Sequence, residues 1–371
     1  MSSEFGRNLR VSIFGESHGP AIGVAVNGFP AGEPVDFDAL QRFMARRAPG
    51  NSPLTTARKE ADLPEFLSGI KGNILTGAPF AAIIRNTNQR SGDYSAFADT
   101  PRPSHADYTA WVKWHGAADM RGGGHFSGRL TAPLCVAGGI AKQILERRGI
   151  FIGAHLAAVG DAEDDRYPLY PDRELFEETA AKAFPVLNAE KGAAMEEQIR
   201  AAARDGDSVG GMIECAAIGL PAGLGDPMFD GLESLLSAAL FGIPGIKGVS
   251  FGSGFGCVKM HGSEHNDPFV TENGEIRTSS NHSGGIQGGI TNGMPIVFQI
   301  AMKPTASIAR PQQTVSLSRM EAAELSVGGR HDPCIAVRAV PVAEAVTALV
   351  LLDLIREQGP GFRDKGTGTR E

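Results

Sequence analysis

A single large α+β domain is the architecture the sequence predicts, and three observations predict it. Strand-like and helix-like hydrophobic patterns alternate along the 371 residues. No stretch of linker composition divides the chain, and no repeat of fixed period is evident. Neither G-x-G-x-x-G in a strand–turn–helix setting nor G-x-x-x-x-G-K-[ST] occurs, which disfavours a Rossmann dinucleotide fold and a P-loop. The domain is expected over 1–357, with a Gly-rich, charged tail at 358–371 that frays.

The elements can be taken in chain order. Arg10–Phe14 reads as a short strand running into the tight Gly15-Glu16-Ser17-His18-Gly19, and Ala21–Val26 as a second strand ended by Asn27-Gly28. Asp36 caps a helix whose apolar face is Phe37, Leu40, Phe43 and Met44, stopped after Arg46-Arg47 by Ala48-Pro49-Gly50. Residues 49–130 show few clear periods, and so long an irregular stretch in a compact protein is functional or disordered. Its arginines and its histidine and triple-glycine clusters favour function. A helix is expected from about Ala132 to Arg148, a strand over Phe151–Val159, and helices at about 173–183 and 189–204. Then come a strand at Val209–Ile218, a helix at 229–241, strands at Gly245–Phe251 and Pro295–Met302, and a final helix at Val342–Glu357.

Composition bounds the function. The net charge of −7 speaks against a general nucleic-acid binder, which would be basic. Charge is unevenly placed: residues 1–130 carry a balance of +2, and the remainder −9. In the first segment 11 of 14 cations are arginine, whose planar fork suits phosphate and carboxylate, so a local small-anion site is the sharper reading and compositional fluctuation the blander one. With 48 glycines, backbone must either bend tightly and approach a ligand closely or belong to a loop-rich β protein. The four cysteines are at least 42 residues apart, which excludes a C-x-x-C zinc or redox unit and reads as buried, reduced thiols. The first residues lack the apolar core of a leader, and Ala345 to Leu352 is too short to span a bilayer, so a soluble protein of a reducing cytoplasm is expected.

Named motifs fit poorly. Gly15–Gly19 matches the G-x-S-x-G of serine hydrolases, but the segment after it reads as a strand rather than a helix. His261 and His265 are four apart, yet their Gly/Ser/Asn/Asp surroundings argue against one helix face, and no metal site is expected. There remains a set of polar, Gly-flanked clusters: GESHG at 15–19, RRAPG at 46–50, RPSHADY at 102–108, RGGGHFSGR at 121–129, NHSGGIQGG at 281–289, KPTAS at 303–307 and GGRHDP at 328–333. Gly122–Gly124 lie just before the helix near Ala132, where free N–H groups can meet an anion.

In this order, with TTARKE and DYSAF between, the clusters resemble the chorismate synthase family from Gly6 to about Glu357. The resemblance implies helices layered between antiparallel sheets, a homotetramer, and conversion of 5-enolpyruvylshikimate 3-phosphate to chorismate with reduced FMN and no net redox change. It implies that His18 protonates the departing phosphate, that His105 sits by the flavin and holds its protonation state, and that Asp332 works with the flavin in removing the ring proton. Ser17 and Ser127 match family serines near these groups. Flavin contacts would come from His125, Phe126, Ser127, Pro244, Gly245, Gly288, Lys303, Pro304, Thr305, Ala306, Ser307 and Arg330. Arg47 matches a position linked to NADPH and could equally hold the substrate phosphate; Arg46, Arg58, Arg129 and Arg338 are further candidates for substrate anions. No extra domain for reducing flavin is visible, which favours flavin reduced elsewhere.

The chain departs from the family pattern at four places. Ala48 stands where a third arginine is usual, Ser104 where glycine is usual, His125-Phe126 where the pattern has arginine and serine, and Pro53 where another arginine is usual. His125 is expected to replace its arginine in part. The runner-up class is a non-enzymatic binder of flavin or a phosphometabolite on the same fold, which would have no need of His18, His105 and Asp332.

Overall fold

The computed structural model describes residues 3–50, 62–86, 99–272, 274–328 and 331–357. Two five-stranded antiparallel sheets enclose a layer of helices. The first sheet contains β1 (Glu4–Phe5), β2 (Arg10–Gly15), β3 (Ala21–Asn27), β4 (Glu65–Ser68) and β7 (Phe80–Arg85) in the order β1-β2-β3-β7-β4, with a small ribbon β5–β6 (Ile70–Lys71, Ile74–Leu75) beside it. The second contains β8 (Phe151–Val159), β9 (Ala162–Glu163), β10 (Gly211–Ile218), β11 (Ile246–Phe251) and β16 (Ile296–Met302) in the order β11-β16-β10-β8-β9. Ribbons β12–β13 (Phe269–Glu272, Glu275–Thr278), β14–β15 (Ile286–Gln287, Ile290–Thr291) and β17–β18 (Gln312–Ser316, Glu321–Leu325) complete the strands.

The helices are α1 (Phe37–Arg47), α2 (Asp107–Lys113), α3 (Thr131–Glu146), α4 (Arg173–Ala181), α5 (Ala189–Arg204), α6 (Leu232–Leu240), α7 (Gly262–His265) and α8 (Ala336–Glu357). α1 forms as its residues demand: the Asp36 side chain accepts from Ala39 N at 2.9 Å, and Leu40, Phe43 and Met44 are buried. α3 packs on β3 and β7 of the first sheet, α8 on β8 and β10 of the second, and the two helices pack on each other. Their approach depends on Gly138, where a methyl group would lie 2.4 Å from the Ala345 Cβ.

Several expectations need correction. The stretch expected to be irregular holds β4 to β7 and α2, and β7 is an interior strand of the first sheet. Its sequence, FAAIIR, does not alternate polar with apolar, because helices cover the face of Phe80, Ala82 and Ile84, while Ala81 and Ile83 on the other face are also partly buried. α8 starts at Ala336, six residues before the expected Val342, and runs through Pro341. Burial of Ala336, Val337, Ala339 and Val340 outweighs the hydrogen bond that proline forfeits there. Gly262–His265 is a single helical turn with His261 at its N-cap, although the composition argued against helix. Cys135, Cys215 and Cys334 are buried and free, as expected, whereas Cys257 is exposed. Burial pushes the Cys135 thiol up to about 12 and Cys334 to about 11, so neither is a nucleophile at neutral pH. The tail at 358–371 lies outside the described residues. Among the described residues no helix is long and apolar enough to cross a membrane.

One polar cluster lies inside the second sheet. His155 is fully buried, with Nδ1 3.2 Å from Asp164 Oδ2 and Nε2 3.0 Å from Glu214 Oε2. Burial works to lower its pKa, but the two carboxylates outweigh burial and raise it. A raised pKa in the folded state stabilises fully below the unfolded value of about 6.5, and that stabilisation fades as pH climbs through the raised value. The melting-temperature gap between wild type and His155→Gln is therefore expected to be widest near about pH 6 and to narrow toward about pH 9. A gap that stays constant over that range would mean that folding leaves the His155 pKa unshifted, and one that widens with pH that His155 is neutral in the fold.

Candidate active site

The site is assembled at one end of the sandwich from the turn after β2, the loop before α3, the segment after β16 and the start of α8. β2 ends at Gly15, and the next turn closes with Gly19 N donating to Glu16 O at 3.0 Å. This turn leads into a strand, which removes the hydrolase reading of GESHG. Ser17 N donates to Gly124 O at 3.1 Å, tying the turn to the triple-glycine loop. Gly122, Gly123 and Gly124 all have positive φ, at 60°, 89° and 54°. Side chains would be strained there, and there is no room for them. A methyl group on Gly122 would lie 2.1 Å from the His18 ring, and one on Gly123 would lie 3.3 Å from the His105 ring. Two histidines 87 residues apart in sequence thus meet successive glycines of one loop.

His18 is buried beneath this loop, while His105 reaches the cleft. His105 Nδ1 lies 2.7 Å from Asp107 Oδ1, and Asp107 is gripped at both oxygens by Arg102. On the far side, Asp332 Oδ2 accepts from Arg338 Nη1 at 2.6 Å, and Thr305 Oγ1 donates to the Asp332 carbonyl at 2.8 Å. Arg338 Nε donates to the Arg47 carbonyl at 3.0 Å. Arg47 and Arg129 flank the buried Asp62 at 2.5 and 2.7 Å. Burial works to raise the Asp62 carboxyl, but the two guanidiniums outweigh it and lower its pKa, so it is ionised at neutral pH. Arg47 also donates to Thr131 Oγ1 and to the Gly128 carbonyl, each at 3.0 Å. Asn86 joins Arg129 to the GESHG turn: its Oδ1 accepts from Arg129 Nε at 2.7 Å, and its Nδ2 donates to the Glu16 and Gly19 carbonyls.

Arg47, Arg102, His105, Arg129, Asp332 and Arg338 border a cleft of about 910 Å3, with His18, Asp62, Asn86 and Asp107 behind them. Of the expected site residues, Ser17, Arg47, His105, His125, Phe126, Ser127, Arg129, Pro244, Gly245, Lys303 to Ser307, Asp332 and Arg338 line it. Arg46 does not: its guanidinium is paired bidentately with the buried Glu344 at 2.6 and 2.9 Å, on the core side of α1. Gly288 does not either, because it turns between β14 and β15, apart from the lining residues. Arg58 and Arg330 lie outside the described residues, as do Pro53 and the whole of the TTARKE and DYSAF segments.

His125 spends both ring nitrogens inside the protein, Nδ1 donating to the Gly15 carbonyl at 2.8 Å and Nε2 lying 2.6 Å from Ser3 Oγ. Phe126 packs on Trp114 with ring centroids 5.5 Å apart and forms an aromatic wall. Ser104 has φ of 60°, which explains why glycine suits that position; its carbonyl and hydroxyl both accept from Lys303 Nζ. Burial, then the nearby Lys247, lowers the Lys303 pKa.

Sequence reasoning missed Asp62, Asn86, Arg102, Asp107, Lys247 and His331. Arg102 and Asp107 stood in the same quoted cluster as His105, and Lys247 comes two residues after Pro244-Gly245. Asp62 and Asn86 had no local signal, because their partners are distant in sequence. His331 lines the cleft, and its buried Nε2 has no hydrogen-bond partner among the described residues.

Comparison with known proteins agrees across the chain. A family model described as "Chorismate synthase" matches residues 9–355. Proteins named chorismate synthase from Lancefieldella parvula and Opitutus terrae are 45% and 46% identical to this chain. They cover 96% and 95% of it, and 96% of their own lengths. A solved structure titled "Crystal Structure of Chorismate Synthase" aligns with a TM-score of 0.75 at 28% identity, over 95% of this chain and 93% of that one.

Proposed function

Since the chain belongs to the chorismate synthase family, we propose that this cleft removes phosphate and a ring proton from 5-enolpyruvylshikimate 3-phosphate in a 1,4-anti sense, giving chorismate. The enzyme is a carbon–oxygen lyase of the shikimate pathway. One observation carries the assignment to this cleft: His18 and His105 converge on a single glycine loop beside a cleft that also receives Asp332 and a set of cationic side chains.

The residues divide the work. Arg129, Arg338 and Lys247 hold the substrate's phosphate and carboxylates, with Asp62 setting the direction of the Arg129 fork. His18, with Ser17 beside it, delivers a proton to the departing phosphate. Asp332, steered by Arg338, stands at the position where the ring proton is taken up, and Ser127 lines the same cleft. Residues that would hold FMN are Phe126, the backbone of Pro244-Gly245 and the segment Lys303 to Ser307, with His105 beside them. They fit a flavin: an aromatic wall stands beside backbone polar groups, and the buried Nε2 of His331, without a hydrogen-bond partner among the described residues, offers an acceptor for a ligand N–H. Reduced FMN, when bound, supplies transient electron density without net redox change.

We assign no NADPH site, because the Arg47 guanidinium is engaged by Asp62, Thr131 and Gly128; flavin reduced by another source is the reading this supports. A homotetramer is supported by apolar side chains exposed between Met228 and Ile276, among them Phe229, Phe255, Val258 and Phe269. The free cysteines suit a cytoplasmic setting. The test is anaerobic turnover of the enolpyruvyl phosphate with chemically reduced FMN, with and without NADPH. Chorismate is expected whenever reduced FMN is present, irrespective of NADPH. Equal turnover with no flavin at all would overturn the reading.

A further inference from the structure

We infer that Asp107, anchored by Arg102, is a positioning residue that locks His105 in the Nδ1–H form and so presents Nε2 as its working atom. This rests on the cleft being the catalytic site. Asp107 is a good lock because Arg102 holds both of its oxygens and keeps it ionised at neutral pH. Its Oδ2 accepts from the Arg102 backbone N at 2.9 Å and from Arg102 Nε at 2.8 Å. Its Oδ1 accepts from Arg102 Nη2 at 2.8 Å and meets His105 Nδ1 at 2.7 Å. Burial works to raise its pKa, but the Arg102 and His105 hydrogen bonds outweigh burial and hold the carboxyl well below the usual range.

A carboxylate only accepts, so at 2.7 Å the proton must be on Nδ1. Arg102 Nη2 lies 3.1 Å from the same nitrogen, but that nitrogen cannot both donate to Asp107 and accept from Arg102. The two groups are therefore neighbours around one shared oxygen. The other edge of the ring faces the glycine loop: a methyl group on Gly123 would meet Cε1 and Nε2 at 3.3 Å. Arg102 Nη1 also donates to Ser307 Oγ at 3.2 Å, which ties the lock to the segment proposed to hold FMN.

Asp107→Asn tests this with little change in shape. The amide has one acceptor atom for two pairs of donors. Arg102 N and Nε are two fixed donors on one oxygen, whereas the other oxygen has one fixed donor, Arg102 Nη2, and an imidazole that can move its proton; the amide oxygen therefore stays with N and Nε, and its NH2 displaces Nη2 and faces Nδ1. His105 should then carry its proton on Nε2. Histidine 15N spectra at about pH 9, well above the reference pKa of about 6.5, read which nitrogen is protonated, with His105→Gln identifying the signal. The wild type should show a protonated Nδ1 and Asp107→Asn a protonated Nε2. Turnover with reduced FMN should fall about 10²-fold, at the low end for a displaced acid or base, with FMN affinity unchanged. A wild-type signal with Nδ1 unprotonated overturns the inference even if the variant fails to fold. So does Asp107→Asn retaining both the Nδ1 proton and wild-type turnover. A protein that makes no chorismate loses the functional reading, while the 15N result still decides the lock.

Discussion

His18→Ala and His105→Ala are each expected to lower turnover by about 10²–10⁴-fold, the range a placed acid or base contributes. The two losses should differ in character. His18 is buried under Gly122, and its proposed task is at the leaving phosphate, so FMN should bind its alanine variant normally. His105 borders the cleft together with Ser307 and Lys303, and its replacement removes the imidazole that occupies one side of the Asp107 carboxylate. FMN binding should therefore weaken in that variant alone. Steady-state assay, flavin titration and circular dichroism separate the outcomes. Undiminished turnover in either variant removes its assignment, and loss of folding in both would make the histidines structural.

Gly122→Ala is expected to cost a comparable factor, about 10²–10⁴-fold, without replacing any titratable residue. The added methyl would lie 2.1 Å from His18 Cε1 and Nδ1 and 2.9 Å from Ser17 Oγ. All three are side-chain atoms, so the histidine ring and the hydroxyl give way before the backbone does. Alanine at φ of 60° adds about 1–2 kcal/mol of strain. The variant should thus fold with a modest loss of stability and still take up FMN, while its proton donor is displaced. Gly149→Ala is the control: its φ of 78° imposes similar backbone strain, but among the described residues nothing lies within 4 Å of a methyl group there. Gly122→Ala with full activity would show that His18 does not need its present position.

Much of this was legible in the sequence where the cause was local. Asp36 capping α1, the limits of α5 at Ala189 and Arg204, and the strand Phe151–Val159 all depend on neighbours a few residues away. Short-range spacing therefore sufficed. It did not suffice for β7, whose strand character comes from pairing with β3 and β4, or for the first turns of α8, where core burial overrides Pro341. The site divides in the same way. The order of the glycine, histidine and arginine clusters determined the family and the chemistry. Their geometry was not determined by that order. Arg46 and Arg47 are adjacent in sequence, yet the helix turns one to Glu344 in the core and the other to Asp62 at the cleft. Asp62, Asn86 and Glu344 reach their partners across 15 to 298 residues, and no local pattern records such meetings. A buried guanidinium needs a carboxylate or carbonyl within hydrogen-bond reach, and which one it finds is decided only when the sheets and helices close around it.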